Sequence, residues 1–338
     1  MPGSTINRRN FIRLALLGGI GAGLAYIQHQ TAGLGMWNFI RWSLRGQLKK
    51  ISPPAIVGLQ KCNSYDADMG SVFRDLWNIS DMPDVRGKSI LVKPNLLDYV
   101  ENNLATTNPK LIGAVLDLLG ELGVSKIVVG DGSAFRRDTY SVVRNCGLAQ
   151  ELSTRSVSFV DLNYDESIPI RPRDGWIRNI DTLWLPRHVV EADFILTVPK
   201  LKTHHWAGVT LGLKNLLGVI PGSRYGWPKN LIHMNGINAT ILGLYRSLPP
   251  VISIADGIIG MEGNGPLDGS PVKHGLLAAG KDAVAVDIIC AQLMGFSIEW
   301  IPHLSGAAWT GVGQGKRIET RGVSPDELQQ HYQPPPNI

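Results

Sequence analysis

The chain alternates short, continuous apolar runs with longer stretches of helical periodicity. Runs over 55–59, 89–92, 126–129, 157–161, 194–198, 251–255 and 276–279 have the length of buried strands. Between them, apolar residues recur three and four positions apart. That spacing predicts helices over 71–77, 109–122, 139–145, 211–217, 230–248 and 283–294. Pro109 stands at a permitted helix start, Gly123 at a stop and Asp282 at a cap. The alternation predicts an α/β fold with a mainly parallel sheet and helices on both faces. Two α/β lobes with the site between them are the alternative, with a break near 163–190. In that stretch Arg, Pro and Trp mix with short apolar runs, which predicts a hairpin or an excursion. Pro53-Pro54 opens the folded part. The domain is expected over 51–298, with an extension over 299–338 whose end, past 334, is loose. The stretch 257–275 is rich in Gly and Pro and is expected to be one long loop; loops of that length tend to be functional.

Residues 1–50 follow a different pattern. Asn7-Arg8-Arg9-Asn10-Phe11-Ile12-Arg13 precedes an apolar run from Leu14 to Ile27. The arginine pair, the following Phe and the run resemble a twin-arginine export signal, and the run is too short for an ordinary membrane span. The expected partner is the twin-arginine translocase, and the expected location is the periplasm or the outer face of the cytoplasmic membrane. Over 36–50, Trp37, Ile40, Leu44 and Leu48 share one helical face, and Arg41, Arg45 and Lys49 another. That pattern suits a helix in a membrane interface, so residues 8–50 are expected at a membrane surface. A helix docked on the protein body is the alternative.

Charge sharpens this division. The formal net charge is +5, but residues 1–50 hold seven of the 33 Lys/Arg and no acid, leaving 26 bases against 28 acids in the body. A nucleic-acid-binding surface needs basic residues on the folded domain, so none is expected. The three cysteines, Cys62, Cys146 and Cys290, are far apart and form no CxxC, which argues against an Fe–S cluster or structural zinc. They are expected to be small buried residues. There is no GxxxxGK[ST], and Gly130-x-Gly132 lacks the third glycine of a dinucleotide fingerprint.

Candidate chemistry gathers where predicted strands end. Lys93 and Asn95 follow the 89–92 strand, and Asp131 and Ser133 follow 126–129. Lys200, Lys202, Thr203, His204 and His205 follow 194–198, while Asp256, Glu262 and Asn264 follow 251–255. In one parallel sheet these ends open at one edge, where α/β proteins place their sites. Lysines at 93, 200, 202 and 214 supply positive charge. Asn95, Asn215 and Asn264 supply neutral hydrogen-bonding groups. Such a set suits a small anionic ligand, a carboxylate or a phosphate. A neighbouring lysine lowers a histidine pKa, leaving His204 or His205 neutral and basic. His204, His205 and Lys214 are the catalytic candidates. An enzyme of oxidoreductase or isomerase type is the favoured expectation; a non-catalytic phosphate- or carboxylate-binding protein is the alternative.

Several motifs together resemble a known family. KPN at 93–95, TNP at 107–109, PKLKTHH at 199–205, LKNLLG at 213–218, DGIIGMEGNGP at 256–266 and the D-x-V-A-x-D run at 282–287 look like domain-of-unknown-function family 362. That resemblance spans roughly 56–295 and implies no established reaction. Some members of the family carry ferredoxin-type cysteine motifs, which this sequence lacks. A more distant similarity is to the nickel-pincer lactate racemases. Residues 204–214, HHWAGVTLGLK, keep the His, the Ala-Gly, a hydroxyl at Thr210, a glycine at Gly212 and the Lys of that family's motif. It implies His204 as acid–base residue, Lys214 as tether of a metal-organic cofactor, and His233 as metal ligand. Leu213 replaces the family's Arg, and 132–136 lacks the second acid–base His.

Overall fold

The structure is a computed structural model that describes residues 36–99, 104–133, 137–177, 180–227 and 229–336. The side chains of Met36, Trp37, Ile232 and His233 are outside that description. The Arg8-Arg9 segment and the apolar run to Ile27 also lie outside the described residues.

One mixed sheet organises the molecule. Its strands are β1 (Ala55–Lys61), β2 (Ser89–Pro94), β3 (Lys126–Asp131), β4 (Ser158–Asp161), β7 (Phe194–Val198), β10 (Val251–Glu262), β12 (Leu276–Gly280) and β13 (Ile318–Gly322). They lie in the order β13-β1-β12-β10-β7-β2-β3-β4. β12 runs against both neighbours, and the other pairings along this path are parallel. β5 (Ser167–Ile170) and β6 (Leu183–Pro186) form a separate antiparallel pair, the excursion expected near 163–190.

Alternating side chains feed two cores, as in a sheet covered on both faces. Ile90, Val92 and Leu196 join one core; Leu91 and Ile195 join the other. Helices Met69–Ile79, Pro109–Glu121, Thr139–Asn145 and Leu148–Thr154 cover the first face through Phe73, Leu76, Leu111, Val115 and Leu119. Helices Ile237–Ser247, Ala283–Leu293 and Pro302–Thr310 cover the second through Ile241, Val284, Ile288 and Leu304. Asn108 accepts from Lys110 N and Asp282 from Val284 N and Ala285 N, so both foreseen helix starts are capped. The three cysteines are free and buried.

Three expectations need correction. β10 runs on through Glu262, and β11 (Ser270–Val272) pairs with it, so 257–275 is not one long loop. The glycines that suggested a loop make room for close neighbours: a Cβ on Gly257 would collide with Leu201, and one on Gly260 with Tyr332. Residues 200–204 are not loop either. β8 (Lys200–His204) pairs with β10 and with β9 (Gly208–Thr210). The 230–248 helix is two helices, Asn230–Asn235 and Ile237–Ser247, divided at Gly236 with a φ of 76°. In the 299–338 extension, β13 forms a sheet edge, and Leu328 and Tyr332 are buried.

Helix Met36–Leu48 is docked on the body. Trp42 is fully buried and stacks on Trp176 at 4.0 Å. Arg41 and Arg45 both reach the buried carboxylate of Asp174. Among the described residues no helix is long and apolar enough to cross a membrane.

Candidate functional site

From β2 the chain steps one way to β3 and β4, then returns on the other side to β7. The β2/β7 boundary is therefore a topological switch point, and a crevice is expected beyond the carboxyl ends there. A cavity of about 310 Å³ lies there, with Lys93, Asn95, Asp131, His204, His205, Lys214 and Asn215 in its wall. Seven of the sequence candidates thus meet at one place.

Asn215 ties this wall together. Its Oδ1 accepts from Lys93 Nζ (3.2 Å) and Asn95 Nδ2 (3.0 Å); its Nδ2 donates to Lys93 O, Pro94 O and Thr197 Oγ1. One side chain therefore joins β2, β7 and helix Gly212–Asn215. With its donors and acceptor engaged, Asn215 holds the site rather than a ligand. Asn95 differs: its Oδ1 is buried without a partner among the described residues. An unpaired buried carbonyl is costly, and a donor on a ligand would relieve it.

The cations fall into two groups. Lys93 is buried against Asp131 at 2.6 Å, and Asp131 also accepts from Leu96 N and Gly132 N. Burial lowers the Lys93 pKa and Asp131 opposes that shift. A Cβ on Gly218 would collide with this pair, so the backbone there must be glycine. Lys229, which the sequence reading missed, also lines the cavity. Its ammonium donates to Gly132 O, Leu217 O and Gly218 O, and burial brings its pKa down to about 7. Those partners are backbone carbonyls, which leave no mark on a sequence. Lys214 belongs to the other group. It is partly exposed, lines the cavity, and has no hydrogen bond or ion pair among the described residues. Burial and then Lys93 lower its pKa to about 8.

The two histidines use Nδ1 in opposite ways. His204 Nδ1 accepts from Trp206 N (3.1 Å) and Ala207 N (3.3 Å), which leaves the proton on Nε2. Burial, Lys214 and His205 push its pKa far down, so the ring is neutral. His205 Nδ1 lies 3.1 Å from Gly265 O and must donate to it, which in the neutral ring leaves Nε2 as an acceptor. The rings stack with centroids 4.9 Å apart. A proton donor and a proton acceptor thus stand side by side in the cavity wall.

Lys200, Lys202 and His204 share one face of β8, but only His204 reaches the cavity. Lys200 Nζ binds Asp256 Oδ2 (3.1 Å) and Tyr65 Oη (2.7 Å), and Tyr65 donates to Asp256 Oδ1 (2.7 Å). Lys202 is fully buried and donates to Ala105 O at 2.6 Å. Ser133 Oγ donates to Leu96 O. The Glu262 carboxylate accepts from Gln333 N, and Asn264 is exposed. The structure places Ser133, Lys200, Lys202, Asp256, Glu262 and Asn264 outside the cavity wall. Among the described residues no cluster of three or more His, Cys, Asp or Glu could hold a metal ion. His233 lies in helix Asn230–Asn235 with its side chain outside the described residues. The side chains of the described residues do not by themselves make a metal site.

A family model described as "Domain of unknown function (DUF362)" matches residues 90–292. The chain belongs to the DUF362 family. That match runs from β2 into helix Ala283–Leu293 and includes every residue in the cavity wall. A thylakoid-associated protein of Synechocystis sp. is 31% identical over 233 residues, covering 67% of this chain and 69% of that protein. Two solved structures are also similar. A Thermotoga maritima protein from the Northeast Structural Genomics Consortium has a TM-score of 0.36 and 12% identity, over 60% of this chain and 52% of that one. The lactate racemase apoprotein of Thermoanaerobacterium thermosaccharolyticum has a TM-score of 0.39 and 17% identity, over 71% and 57%. This DUF362 chain spans little more than half of either solved chain.

Proposed function

We propose that this DUF362 protein is an exported enzyme. It binds a small carboxylate or phosphate in the β2/β7 cavity and moves a proton with His204 and His205. One observation carries the reading: two histidines whose Nδ1 atoms play opposite hydrogen-bonding roles share a cavity wall with Lys214, a cation without a hydrogen bond or ion pair among the described residues. Lys214 is the anchor for the anion. Asn95 Oδ1 is the acceptor for a hydroxyl or amine on the same ligand. His205 Nε2 is free to take a proton and His204 Nε2 to give one, the division of labour of general acid–base catalysis. Export is supported by Arg8-Arg9 and the apolar run that follows.

A non-catalytic binding protein would use Lys214 and Asn95 in the same way but would not need the histidine pair. The experiment begins with chain recovered from the native host by cell fractionation. Small carboxylates and phosphates are screened by calorimetry, and ligands that bind are followed for exchange of a carbon-bound proton with deuterated water. His205→Ala is expected to keep ligand affinity and abolish exchange, whereas Lys214→Met is expected to lose affinity. Binding without exchange in the unaltered protein sinks the enzyme; recovery from the cytoplasm sinks the export.

A further inference from the structure

Helix Met36–Leu48 is amphipathic in a way the sequence alone misorients. Its inner side is the one with Trp42 and Gly46. Trp42 is buried on Trp176, and a Cβ on Gly46 would collide with Trp309 O. Arg45 donates to Thr310 O (2.7 Å) and pairs with Asp174. Ile40, Leu44 and Leu48, four residues apart, form the opposite side and are 40%, 62% and 61% exposed. Ile51, just past the helix, is 78% exposed. Single exposed apolar residues are ordinary, but four in one row make a patch.

We propose that this row, Ile40, Leu44, Leu48 and Ile51, docks the protein on an anionic lipid bilayer. Charge is the first argument. No acidic residue precedes Asp66 in the chain, and Lys50 and Arg41 are exposed at the helix. Arg171 and Arg173 are exposed on the segment that carries Asp174, and Asp174 itself is matched by Arg41, Arg45 and Arg246. Exposed apolar side chains edged by bases are what an anionic lipid surface selects. Chain length is the second argument. Only residues 28–35 separate the apolar run ending at Ile27 from Met36, a reach of at most about 30 Å. Lipid that takes up the run therefore holds the helix close to the bilayer. A second copy fits poorly, because a two-fold contact would set Arg41 and Lys50 near their own copies. The proposal does not depend on the chemistry of the cavity.

The test uses the full chain carrying one introduced cysteine, Leu44→Cys, Leu48→Cys or Lys110→Cys, labelled with an environment-sensitive nitrobenzoxadiazole. The native cysteines are buried, so the introduced thiol takes the label. Lys110 is exposed and starts a helix on the other face of the sheet. With phosphatidylglycerol vesicles, labels at 44 and 48 are expected to shift to the blue and to be quenched by spin-labelled lipid. The label at 110 is expected to do neither. Replacing Ile40 and Ile51 by Glu is expected to raise the lipid concentration for the half-maximal shift by roughly tenfold or more. Labels at 44 and 48 that ignore the vesicles overturn the proposal. Labels already blue-shifted in buffer also overturn it, assigning the row to residues 1–35. A shift in buffer that grows with protein concentration assigns it to a second copy. An equal response to phosphatidylcholine vesicles overturns the role of charge.

Discussion

Three lysines of the cavity wall, and Lys202 outside it, show how far partners, rather than residue type, decide a role. Lys93 has Asp131, Lys202 has Ala105 O and Lys229 has three backbone carbonyls, while Lys214 has no such partner among the described residues. The sequence shows that lysines cluster near strand ends but cannot show which are already occupied, because most of the occupants are main-chain atoms. Lys200 looked like a ligand-binding residue for the same reason, and it is committed to Asp256 and Tyr65. The pH dependence follows from the free one. Lys214 sits near 8 and Lys229 near 7, below the ordinary 10.5. Anion affinity is therefore expected to weaken as the pH rises from 7 to 9, and Lys214→Met should abolish most of that dependence in calorimetric titrations. The ligand-free protein is expected to do the opposite. A lysine pKa that is lower folded than unfolded means the unfolded chain holds more protons between these values and 10.5, so stability rises with pH across that window. Denaturation at pH 7 and pH 9 reads this, and a fall in stability over that range would contradict the assignment.

At the scale of elements, the short helix Gly212–Asn215 aims both Lys214 and Asn215, and four residues do not make a stable helix alone. Asp287, from helix Ala283–Leu293, holds it in place. Its carboxylate is fully buried and accepts from Gly212 N (2.8 Å) and Leu213 N (2.7 Å). Burial pushes the carboxyl up to about 7 against those two bonds. The motif around Asp287 was legible as a motif, and Asp282 was legible as a cap, because capping acts within a few residues. The partners of Asp287 lie 74 and 75 positions away, and no local pattern reports them. Asp287→Ala leaves two buried N–H groups unpaired, and a loss of about 2–4 kcal/mol is expected in urea denaturation. Asp287→Asn keeps one acceptor and is expected to lose less. If the alanine variant keeps both full stability and full anion affinity, Asp287 does not position this helix.

For the whole molecule, the parallel sheet was legible because buried strands are short apolar runs and the helices between them are periodic. β8, β9 and the far half of β10 were not, since their glycines and lysines answer to distant neighbours rather than to a local period. The N-terminal helix shows the same limit. Its periodicity was plain, but which side faces the body depends on Trp176 and Asp174, more than 120 residues away. Asp174 is the clasp: its carboxylate is 1% exposed and meets Arg41, Arg45 and Arg246. Burial raises this carboxyl, but Arg45 and Arg246 more than offset the rise, so it lies below the ordinary 3.8. A depressed aspartate stabilises the fold above its unfolded pKa, and that contribution is lost as the pH falls through the folded value. Asp174→Ala removes it at neutral pH. Because the arginines are partly exposed, the expected cost is moderate, about 1–3 kcal/mol. The consequence is local. With the clasp gone, helix Met36–Leu48 keeps its Trp42 and Gly46 contacts, the Phe39 contact with Trp309 and the Arg45 bond to Thr310 O, and trypsin should cut at Lys49 and Lys50 several times faster than in the unaltered protein, while the sheet stays protected. An unchanged rate of cleavage there would mean that the stack of Trp42 on Trp176, and not the Asp174 carboxylate, holds the helix to the body.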